Sequence, residues 1–427
     1  MSNKKYAVWQ AGGAMAPGAI LLWTAVWLLT RALMVSELGF WRNDGHATGY
    51  QDVDLFQSWS TSILATHLLP HTPSWQYPPG AAWIFLLPGL ASEHYGVAFV
   101  TLMLILDAVT TVLLARLALS GARSDGVWLW LLAIPALGTL PLLRFDMVPT
   151  CIAVAALTAT SARVRGAIIG FGIMVKAWPV LLLITEGSRS SLRTALATAT
   201  ATCVTVTAIS WLLLGNPFGF LGNQGGRGLE LEAVAASPWY LLQALLGYKV
   251  NWADRYGSLE LVGSIPDLVA RVLAFAALVL AVALVAWWLK RDRLVRAAHS
   301  ELASNGADAA FTVVLWFITI SRVLSPQYFV WLIGIGGVAL ASRACTVRRP
   351  VLMVAAATLV TQILFGVVWG DLVTGGAGGA YLLVLRNVIL LVAALDAGRS
   401  MFLQARISTV DTYSTASSGQ RRQDRFD

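Results

Sequence analysis

Apolar segments as long as a membrane-spanning helix recur from the beginning of the chain almost to its end. A helix needs about 20 predominantly apolar residues to cross the hydrocarbon core of a bilayer. Here 57% of the residues are hydrophobic and only 12% are charged, against about 25% charged in a typical soluble domain. A soluble fold would lack the polar side chains to cover its surface, and a disordered chain would be far less hydrophobic.

The predicted fold class is therefore all-α, a polytopic integral membrane protein with roughly 10–12 transmembrane helices. The apolar segments are residues 15–38, 80–91, 97–119, 127–143, 148–160, 166–183, 195–214, 261–289, 311–323, 328–341, 351–368 and 381–394.

Short basic segments between the apolar ones indicate the orientation of the chain. A net charge of +8 would suit nucleic-acid binding in a soluble protein, but these basic residues cluster between spans, as in cytoplasmic loops. Lys4 and Lys5 precede the first apolar segment, so both termini are predicted to be cytoplasmic and the protein to lie in the cell membrane. The loops predicted to face outside follow Leu38, Leu214 and Val368.

This orientation holds only if two apolar segments do not span, or if both do. Residues 80–91 form a short segment, and residues 166–183 are interrupted by Lys176 and Pro179. The predicted division of the chain is a transmembrane domain over 1–398, with outer loops at about 39–79 and 215–260, and a basic, disordered cytoplasmic tail over 399–427.

Two carboxylates follow the first apolar segment, in the sequence GYQDVDLFQSW at residues 49–59. Asp52 or Asp54 would lie at the boundary of water and lipid, where a carboxylate can accept a proton from a substrate hydroxyl. Together the two could instead hold a divalent metal, or both could be ordinary solvated loop acids. Residues 55–69, of mixed polarity, are predicted to form a short helix in the membrane interface.

Other charged residues lie within or at the ends of apolar segments. Arg144 and Asp146 flank Phe145, and we expect either an ion pair between them or a phosphate contact from the arginine. Lys176 is either functional or a lysine that extends to the membrane surface. Arg31 is expected to be interfacial, whereas Asp107 is more central and needs a partner that the sequence does not identify.

Three further motifs lie in predicted outer segments. Tyr77 is part of QYPPG, in which the prolines favour a helix start and the tyrosine either contacts a substrate or anchors the interface. Arg227 and Glu230 lie in a glycine-rich segment, which is either a mobile binding loop or an ordinary solvated one. Arg322 precedes VLSPQY, where it either grips an anion or simply extends to the surface from a helix break.

Motifs of soluble enzymes are absent from the sequence. We find no nucleotide-binding loop, dinucleotide fingerprint, zinc-ligand spacing or nucleophile elbow. His67 and His71 would share one face of a helix, but Pro70 between them argues against a metal site. The three cysteines do not suggest a disulfide framework.

The order of these motifs resembles the actinobacterial branch of glycosyltransferase family 87, polytopic mannosyltransferases of the C superfamily of integral-membrane glycosyltransferases. The likeness spans roughly residues 39–341 and consists of the acidic outer loop, YPP, RFD, VK-W-P, RGLELE and VLSPQY. It implies transfer of a sugar, expected to be mannose, from a polyprenyl-phosphate donor to a glycan or glycolipid acceptor. The reaction is expected at the outer face of the membrane, with inversion to an α-linkage.

The resemblance also implies roles for single residues. The family's catalytic aspartate matches Asp52, although Phe56 stands where the family has tyrosine, and Asp54 falls where many relatives are not acidic. The segment before YPP departs from the family pattern, so acceptor choice is expected to differ. Residues expected to bind the donor phosphate are Arg322, Arg227, Arg144 and Lys176, and those expected to contact substrate are Asp54, Tyr77, Asp146, Glu230, Gln327 and Tyr328.

Fixed cations can neutralise a phosphate that stays charged throughout the reaction, so we expect no cofactor, with a divalent metal at Asp52 and Asp54 as the less favoured case. The expected partners are the lipid-linked donor, the acceptor and membrane lipids, without nucleic acid. A transporter or flippase for a lipid-linked sugar is the alternative, and Asp107 and Lys176 would favour it. Against it, the polar residues gather at the outer face and not at the bilayer midplane. A non-catalytic scaffold would tolerate Asp52→Asn. The sequence leaves open the acceptor, and whether the donor sugar is mannose, glucose or arabinofuranose.

Overall fold

The computed structural model describes residues 17–43, 50–255, 257–298 and 306–423. Helices account for most of the chain, with one small hairpin, so the predicted all-α class is confirmed. The helices are α1 Pro17–Asn43, α2 Tyr50–Thr66, α3 Gly80–Ala91, α4 Tyr95–Leu119, α5 Asp125–Ala133, α6 Leu140–Leu143, α7 Met147–Thr158, α8 Ala162–Val175, α9 Arg189–Leu214, α10 Gly219–Gly225, α11 Ser237–Leu246, α12 Ser264–Ala298, α13 Gly306–Thr319, α14 Tyr328–Ala341, α15 Arg348–Gly366, α16 Trp369–Thr374 and α17 Ala377–Gln423. The strands are β1 Trp252–Arg255 and β2 Ser258–Leu261.

Six helices in the described part of the chain are long and apolar enough to cross a membrane. They are α1, α4, α9, α12, α15 and α17, and six shorter apolar helical segments accompany them. Large apolar side chains such as Leu212 and Leu278 are exposed on these helices, as expected for surfaces that face lipid. The prediction of a polytopic membrane protein is confirmed.

Helix α14 forms the centre of the bundle. Every residue from Phe329 to Ala341 is buried, and the helix packs against α5, α7, α13 and α15. Glycines allow the closest of these approaches, because a methyl group on Gly126 of α5 would collide with the backbone of Gly337. The first residues of α14 are thereby held beside the ends of several neighbouring helices.

Small residues also bring α8 and α9 together. Gly166 and Gly170 of α8 face Ala195 and Ala199 of α9, and a methyl group on either glycine would meet the alanine backbone. Spacing of four residues puts each pair on one helix face, which is the arrangement by which membrane helices pack closely.

The predicted interruption of residues 166–183 is confirmed. Helix α8 ends at Val175, Lys176 has an extended backbone, and a 3-10 helix, Trp178–Thr185, follows. The predicted helix entry after YPP is also confirmed, because α3 begins at Gly80 directly after Pro79. These breaks turn Lys176 and Tyr77 towards the ends of neighbouring helices instead of leaving them inside a regular span.

Asp107 and Arg31 form an ion pair inside the helical bundle. The arginine Nε and Nη2 atoms each lie 2.8 Å from a different carboxylate oxygen, and both side chains are almost fully buried. The indole nitrogens of Trp27 and Trp130 also donate to this carboxylate. Arg31 is therefore buried between helices, and Asp107 has the partner that the sequence could not name.

The segment after α9 is more ordered than the predicted mobile loop. Strands β1 and β2 pair antiparallel, with Trp252 opposite Leu261, and Glu230 forms a bridge with Glu260 beside them. Leu229 and Leu231 are buried in a second apolar core against α15, α16 and α17. This core fixes the polar residues of the segment in place.

Helix α17 extends beyond the membrane-spanning window into the predicted tail. Its backbone is helical as far as Gln423. The composition of the sequence had predicted disorder from residue 399 onward. Lys4 and Lys5, on which the predicted orientation of the N-terminus depends, lie outside the described residues, as do residues 424–427.

Candidate active site

Asp52 and Arg144 form a partly exposed ion pair. Asp52 lies in the first turn of α2, at the positive end of the helix dipole, and its Oδ2 is 2.6 Å from Arg144 Nη2. The two side chains are 21% and 27% exposed, so solvent reaches both. Burial raises the pKa of Asp52 above its usual range, and Arg144 lowers it in part. Since a base gains strength with its pKa, this carboxylate is suited to accept a proton.

The expected pairing between Arg144 and Asp146 is wrong. Asp146 precedes α7 and is buried, and its Oδ1 accepts from Lys176 Nζ at 2.6 Å and from Trp331 Nε1 at 2.8 Å. Arg144 instead pairs with Asp52, and the backbone changes from extended at Arg144 to helical at Asp146. The two ion pairs lie close enough for Asp146 to raise the pKa of Asp52.

Aromatic rings surround the ammonium group of Lys176. Its Nζ lies 4.8 Å from the centroids of Phe145 and Trp331, 5.3 Å from Tyr328 and 5.9 Å from Tyr77. Such contacts favour a desolvated cation through the negative faces of the rings. Lys176 is therefore neither a surface lysine nor an isolated charge, and it has one fixed position beside the Asp52 pair.

A cluster of aromatic side chains packs against the buried face of α2. Phe56 is 2% exposed, and its ring stacks on Phe85 at 4.6 Å between centroids. The ring of Tyr77 lies edge-on to Phe145 at 4.9 Å and close to Trp59. Burial raises the pKa of Tyr77, so its hydroxyl stays protonated. Phe56 thus contributes to packing. The hydroxyl group of a tyrosine at this position, as the family has, would lie in a buried site.

Arg227 is held by several partners from the segment before α3 and from the β-hairpin. Its Nη1 donates to Gln76 Oε1 at 2.6 Å, and its Nη2 donates to Ser258 Oγ at 2.7 Å. Its Nε donates to Glu260 Oε1 at 3.1 Å. Arg227 therefore joins the segment before α3 to the β-hairpin, and most of its donors are in use.

Glu230 is a buried carboxylate beside Arg227. Ser325 Oγ donates to its Oε1 at 3.3 Å, whereas its Oε2 has no hydrogen-bond partner among the described residues. Burial raises the pKa of Glu230 to about 7, against the attraction of Arg227. Near neutral pH this carboxyl group can therefore gain or lose a proton.

The predicted VLSPQY residues lie next to the same cluster. The backbone carbonyl of Arg322 accepts from the Glu230 amide at 2.9 Å, and burial together with Arg227 lowers the pKa of the Arg322 guanidinium. Gln327 is buried directly before α14, and Tyr328 stacks on Trp331 at 4.0 Å. These residues therefore connect the Arg227 contacts with the aromatic rings around Lys176.

Asp54 lies apart from these contacts. It is exposed on α2, two residues after Asp52, and residues at that spacing do not face each other on a helix. The described residues contain no group of three or more His, Cys, Asp or Glu side chains placed to hold a metal ion. Helix α2 ends at Thr66 and His67 has a positive φ of 55°, so His67 and His71 do not share a helix face.

Three residues of this region are missing from the sequence-based prediction. They are Glu260, Arg386 and Asn387, whereas Gln76 and Glu232 belong to the QYPPG and RGLELE motifs. The signal for Arg386 was available, since it is a charged residue inside an apolar segment, as Lys176 is. It is fully buried, its Nη2 donates to the Glu232 carbonyl at 3.0 Å, and its Nε and Nη1 lack hydrogen-bond partners among the described residues.

A comparison with known families identifies the family of the chain. A family model described as Glycosyltransferase family 87 matches residues 75–307, more than half of the chain. The chain belongs to glycosyltransferase family 87. No curated protein matches this family 87 chain. It is therefore a membrane glycosyltransferase, with donor and acceptor substrates.

The family 87 match divides the predicted site residues into two sets. Within the matched range lie Tyr77, Arg144, Asp146, Lys176, Arg227 and Glu230. Outside it lie Asp52, Asp54, Arg322, Gln327 and Tyr328. All but Asp54 are nevertheless joined in space by the contacts above, because α2 and the start of α14 pack against the matched part of the family 87 fold.

Proposed function

We propose that this family 87 glycosyltransferase transfers mannose from a polyprenyl-phosphate donor to a glycan or glycolipid acceptor at the outer face of the cell membrane. The observation that carries the proposal is the contact of Asp52 with Arg144 beside the Asp146–Lys176 pair. A partly exposed carboxylate and fixed cations then meet at the ends of apolar helices, where a lipid-linked anion and a water-soluble hydroxyl can meet.

In the proposed reaction the acceptor hydroxyl attacks the anomeric carbon of the donor sugar. The bond from that carbon to the phosphate oxygen breaks, and the hydroxyl proton passes to Asp52. The sugar configuration inverts, giving an α-linked product from a β-linked donor. The raised pKa of Asp52 supports its role as the base.

The departing polyprenyl phosphate carries one more negative charge than the bound donor, so cations nearby lower the barrier. Arg144 is the proposed principal contact, because it lies beside the base, is partly exposed and has an Nε without a partner among the described residues. Lys176 and Arg227 are already paired with Asp146 and Glu260. We therefore propose that they stabilise the leaving phosphate through their positive charge, without direct contact. Arg322 is proposed as a further cation on the same side. With these cations the proposed step needs no metal.

Transport of a lipid-linked sugar is not favoured. Asp107 would have favoured that alternative, but Arg31, Trp27 and Trp130 occupy its carboxylate. Lys176 is likewise paired with Asp146.

The test is sugar transfer from radiolabelled polyprenyl-phosphate mannose by membranes that contain the protein, with native lipids as the acceptor pool. We expect a new labelled glycan with the native protein and with Asp125→Asn, and a fall of about 10²–10⁴-fold with Asp52→Asn. Asp125→Asn is the matched control because it makes the same change at an aspartate that pairs at the surface and has no place in the proposed reaction. Equal activity of Asp52→Asn and the native protein would remove Asp52 as the base. No transfer from mannose, glucose or arabinofuranose donors by the inserted native protein would refute the proposed donor class.

A further inference from the structure

The segment of residues 227–233, called here the 227–233 segment, runs beside strand β2. The backbone amide of Leu231 donates to the Leu259 carbonyl of β2 at 2.9 Å. The backbone amide of Glu230 donates to the Arg322 carbonyl, also at 2.9 Å. The segment therefore connects the β-hairpin with the turn that leads into α14.

The 227–233 segment carries two residues of the candidate active site, Arg227 and Glu230. Arg227 Nη2 lies 3.9 Å from Glu230 Oε1, and Ser325 Oγ donates to the same carboxylate oxygen at 3.3 Å. Arg227 is a proposed cation for the leaving phosphate, and Glu230 is an expected substrate contact. The position of the segment therefore decides where these two groups lie relative to a bound donor.

Two adjacent residues of α17 hold the end of the 227–233 segment. Arg386 Nη2 donates to the Glu232 carbonyl at 3.0 Å, and Asn387 Nδ2 donates to the Ala233 carbonyl at 3.2 Å. The same nitrogen of Asn387 lies 2.8 Å from Ser237 Oγ, at the first residue of α11, and donates to it. Side chains of a helix that is apolar enough to span the membrane thus fix two consecutive backbone carbonyls of the segment.

Arg386 is placed for this backbone contact and not for a tight ion pair. Its Nη2 is 3.8 Å from Glu232 Oε2, whereas Arg31 contacts Asp107 at 2.8 Å. Although Arg386 is fully buried, its Nε and Nη1 have no hydrogen-bond partner among the described residues. A buried arginine with unused donors is costly for the fold, and such costs are characteristic of functional sites.

Glu232 connects this contact electrostatically with the proposed base. Burial raises the pKa of Glu232 well above its usual range, and Arg386 and Arg144 lower it in part. Glu232 therefore lies within electrostatic reach of the arginine that pairs with Asp52. A displacement of the 227–233 segment would change the field at Arg144 as well as the position of Arg227.

We infer that Arg386 and Asn387 are positioning residues of the transfer reaction, which hold the 227–233 segment so that Arg227 and Glu230 stay in place beside the donor. The inference rests on the proposed function for the role of Arg227. It adds two residues of α17, a helix outside the range of the family 87 match. Their side chains are only 0% and 1% exposed, so they act through the segment and not by touching substrate.

The test uses the full-length protein in lipid nanodiscs and two variants. Arg386→Met with Glu232→Gln removes the contact to the Glu232 carbonyl together with both charges, so neither charge is left buried alone. Asn387→Leu removes the second contact without changing any charge. Arg31→Met with Asp107→Leu is the matched control, because it removes a buried ion pair elsewhere in the bundle.

Two measurements separate a positioning role from a merely structural one. Hydrogen exchange at the amides of Glu230 and Leu231 reports whether the segment is held, and KM for polyprenyl-phosphate mannose reports whether its position matters. We expect both variants to lose protection of these amides and to raise KM about 10-fold, because one charge interaction with the donor is weakened. The control should keep the native protection and the native KM, at a melting temperature similar to that of the variants.

Unchanged protection in both variants would overturn the inference whatever the donor is, and so would lost protection with an unchanged KM. Failure of the proposed function would have a different signature, namely no transfer by the native protein. The Kd for polyprenyl phosphate, the leaving group of all these donors, then takes the place of KM. The same 10-fold increase is expected in both variants, and an unchanged Kd would overturn the inference.

Discussion

Two groups of charged residues in this protein differ in how completely their polar atoms are hydrogen-bonded. In the bundle, each oxygen of Asp107 accepts one hydrogen bond from Arg31 and one from a tryptophan indole, all between 2.6 and 2.8 Å. The side chains of Arg31 and Asp107 are only 3% and 1% exposed. This pair leaves no oxygen of the carboxylate for a ligand.

In the cluster around Glu230, by contrast, several buried polar atoms lack a hydrogen-bond partner among the described residues. Glu230, Glu232 and Glu260 each have one buried carboxylate oxygen without a hydrogen-bond partner among the described residues. The Nε of Arg144 is also without one, while its Nη2 contacts a partly exposed carboxylate. A buried polar group without a partner costs about 1–3 kcal/mol, and such a cost is characteristic of sites that bind and react. The fully paired Arg31–Asp107 group is thus a structural element, and we propose that the incompletely paired cluster keeps donors and acceptors for substrates.

The largest expected effect comes from breaking the Arg31–Asp107 pair. Asp107→Leu leaves Arg31 buried without a counter-charge, so we expect a loss of about 3–5 kcal/mol in the free energy of unfolding. The measurement is the melting temperature and the folded yield in detergent. The double variant Arg31→Met with Asp107→Leu should recover most of the loss, since two apolar side chains can replace a buried pair. A single variant as stable as the native protein would contradict a structural role for the pair.

Arg144→Gln should separate activity from stability. We expect transfer to fall about 10–100-fold, because a cation at the leaving phosphate is lost. The melting temperature should change less than with Asp107→Leu, since a partly exposed ion pair contributes less to stability than the breaking of a fully buried one costs. Steady-state transfer rates and thermal unfolding of the same preparation check both parts. A large loss of stability with unchanged activity would reverse the distinction between the two groups of charges.

The pH dependence of stability should report on Glu230. Its raised pKa means that the fold favours the protonated carboxyl group, so this contribution is complete below about pH 4.5 and is lost as the pH rises through about 7. Glu230→Gln, which mimics the neutral form, should gain stability relative to the native protein at pH 8 but not at pH 4. The difference is expected to be on the order of 3 kcal/mol. Melting curves at the two pH values test this, and parallel curves for both proteins would argue against a buried neutral carboxyl group.

The smallest effect is expected at a surface ion pair at the start of α5. Asp125 pairs with Arg123 and Arg348 at the surface. Asp125→Asn should alter the free energy of unfolding by no more than about 0.5 kcal/mol and leave transfer unchanged. This variant sets the baseline for the other three, and a loss comparable to that of Asp107→Leu would show that burial does not govern these effects.

Much of the secondary structure follows from local pattern. The break at Lys176 and Pro179 was predictable, because a proline cannot donate a backbone hydrogen bond within a helix and a charged residue interrupts the apolar segment. The hairpin of β1 and β2 was not, since its strands have four residues each and their pattern is set by the second apolar core. The predicted site residues were found by chemistry, as charges and aromatic side chains in apolar surroundings.

The partners of those residues did not follow from local pattern. Arg144 and Asp146 are two residues apart, yet each pairs with a residue from a different part of the chain. Arg386 follows the same rule as Lys176, but its relation to Glu232 spans 154 positions in the chain. Sequence proximity is a poor guide to such pairs, because the backbone changes from extended at Arg144 to helical at Asp146 and the partners lie on other helices.

The membrane environment, the helical class and the residues able to carry charge chemistry are properties of composition and spacing, because hydrocarbon tolerates only backbones that satisfy their own hydrogen bonds. Packing decides which charged groups have all their polar atoms hydrogen-bonded and which do not. The ends of α2, α6, α8 and α14 bring Asp52, Arg144, Lys176 and Tyr328 into one cluster, while α1 and α4 enclose Arg31 and Asp107. Electrostatic interaction and desolvation depend on distances of a few ångströms between segments, and only the assembled helices set those distances.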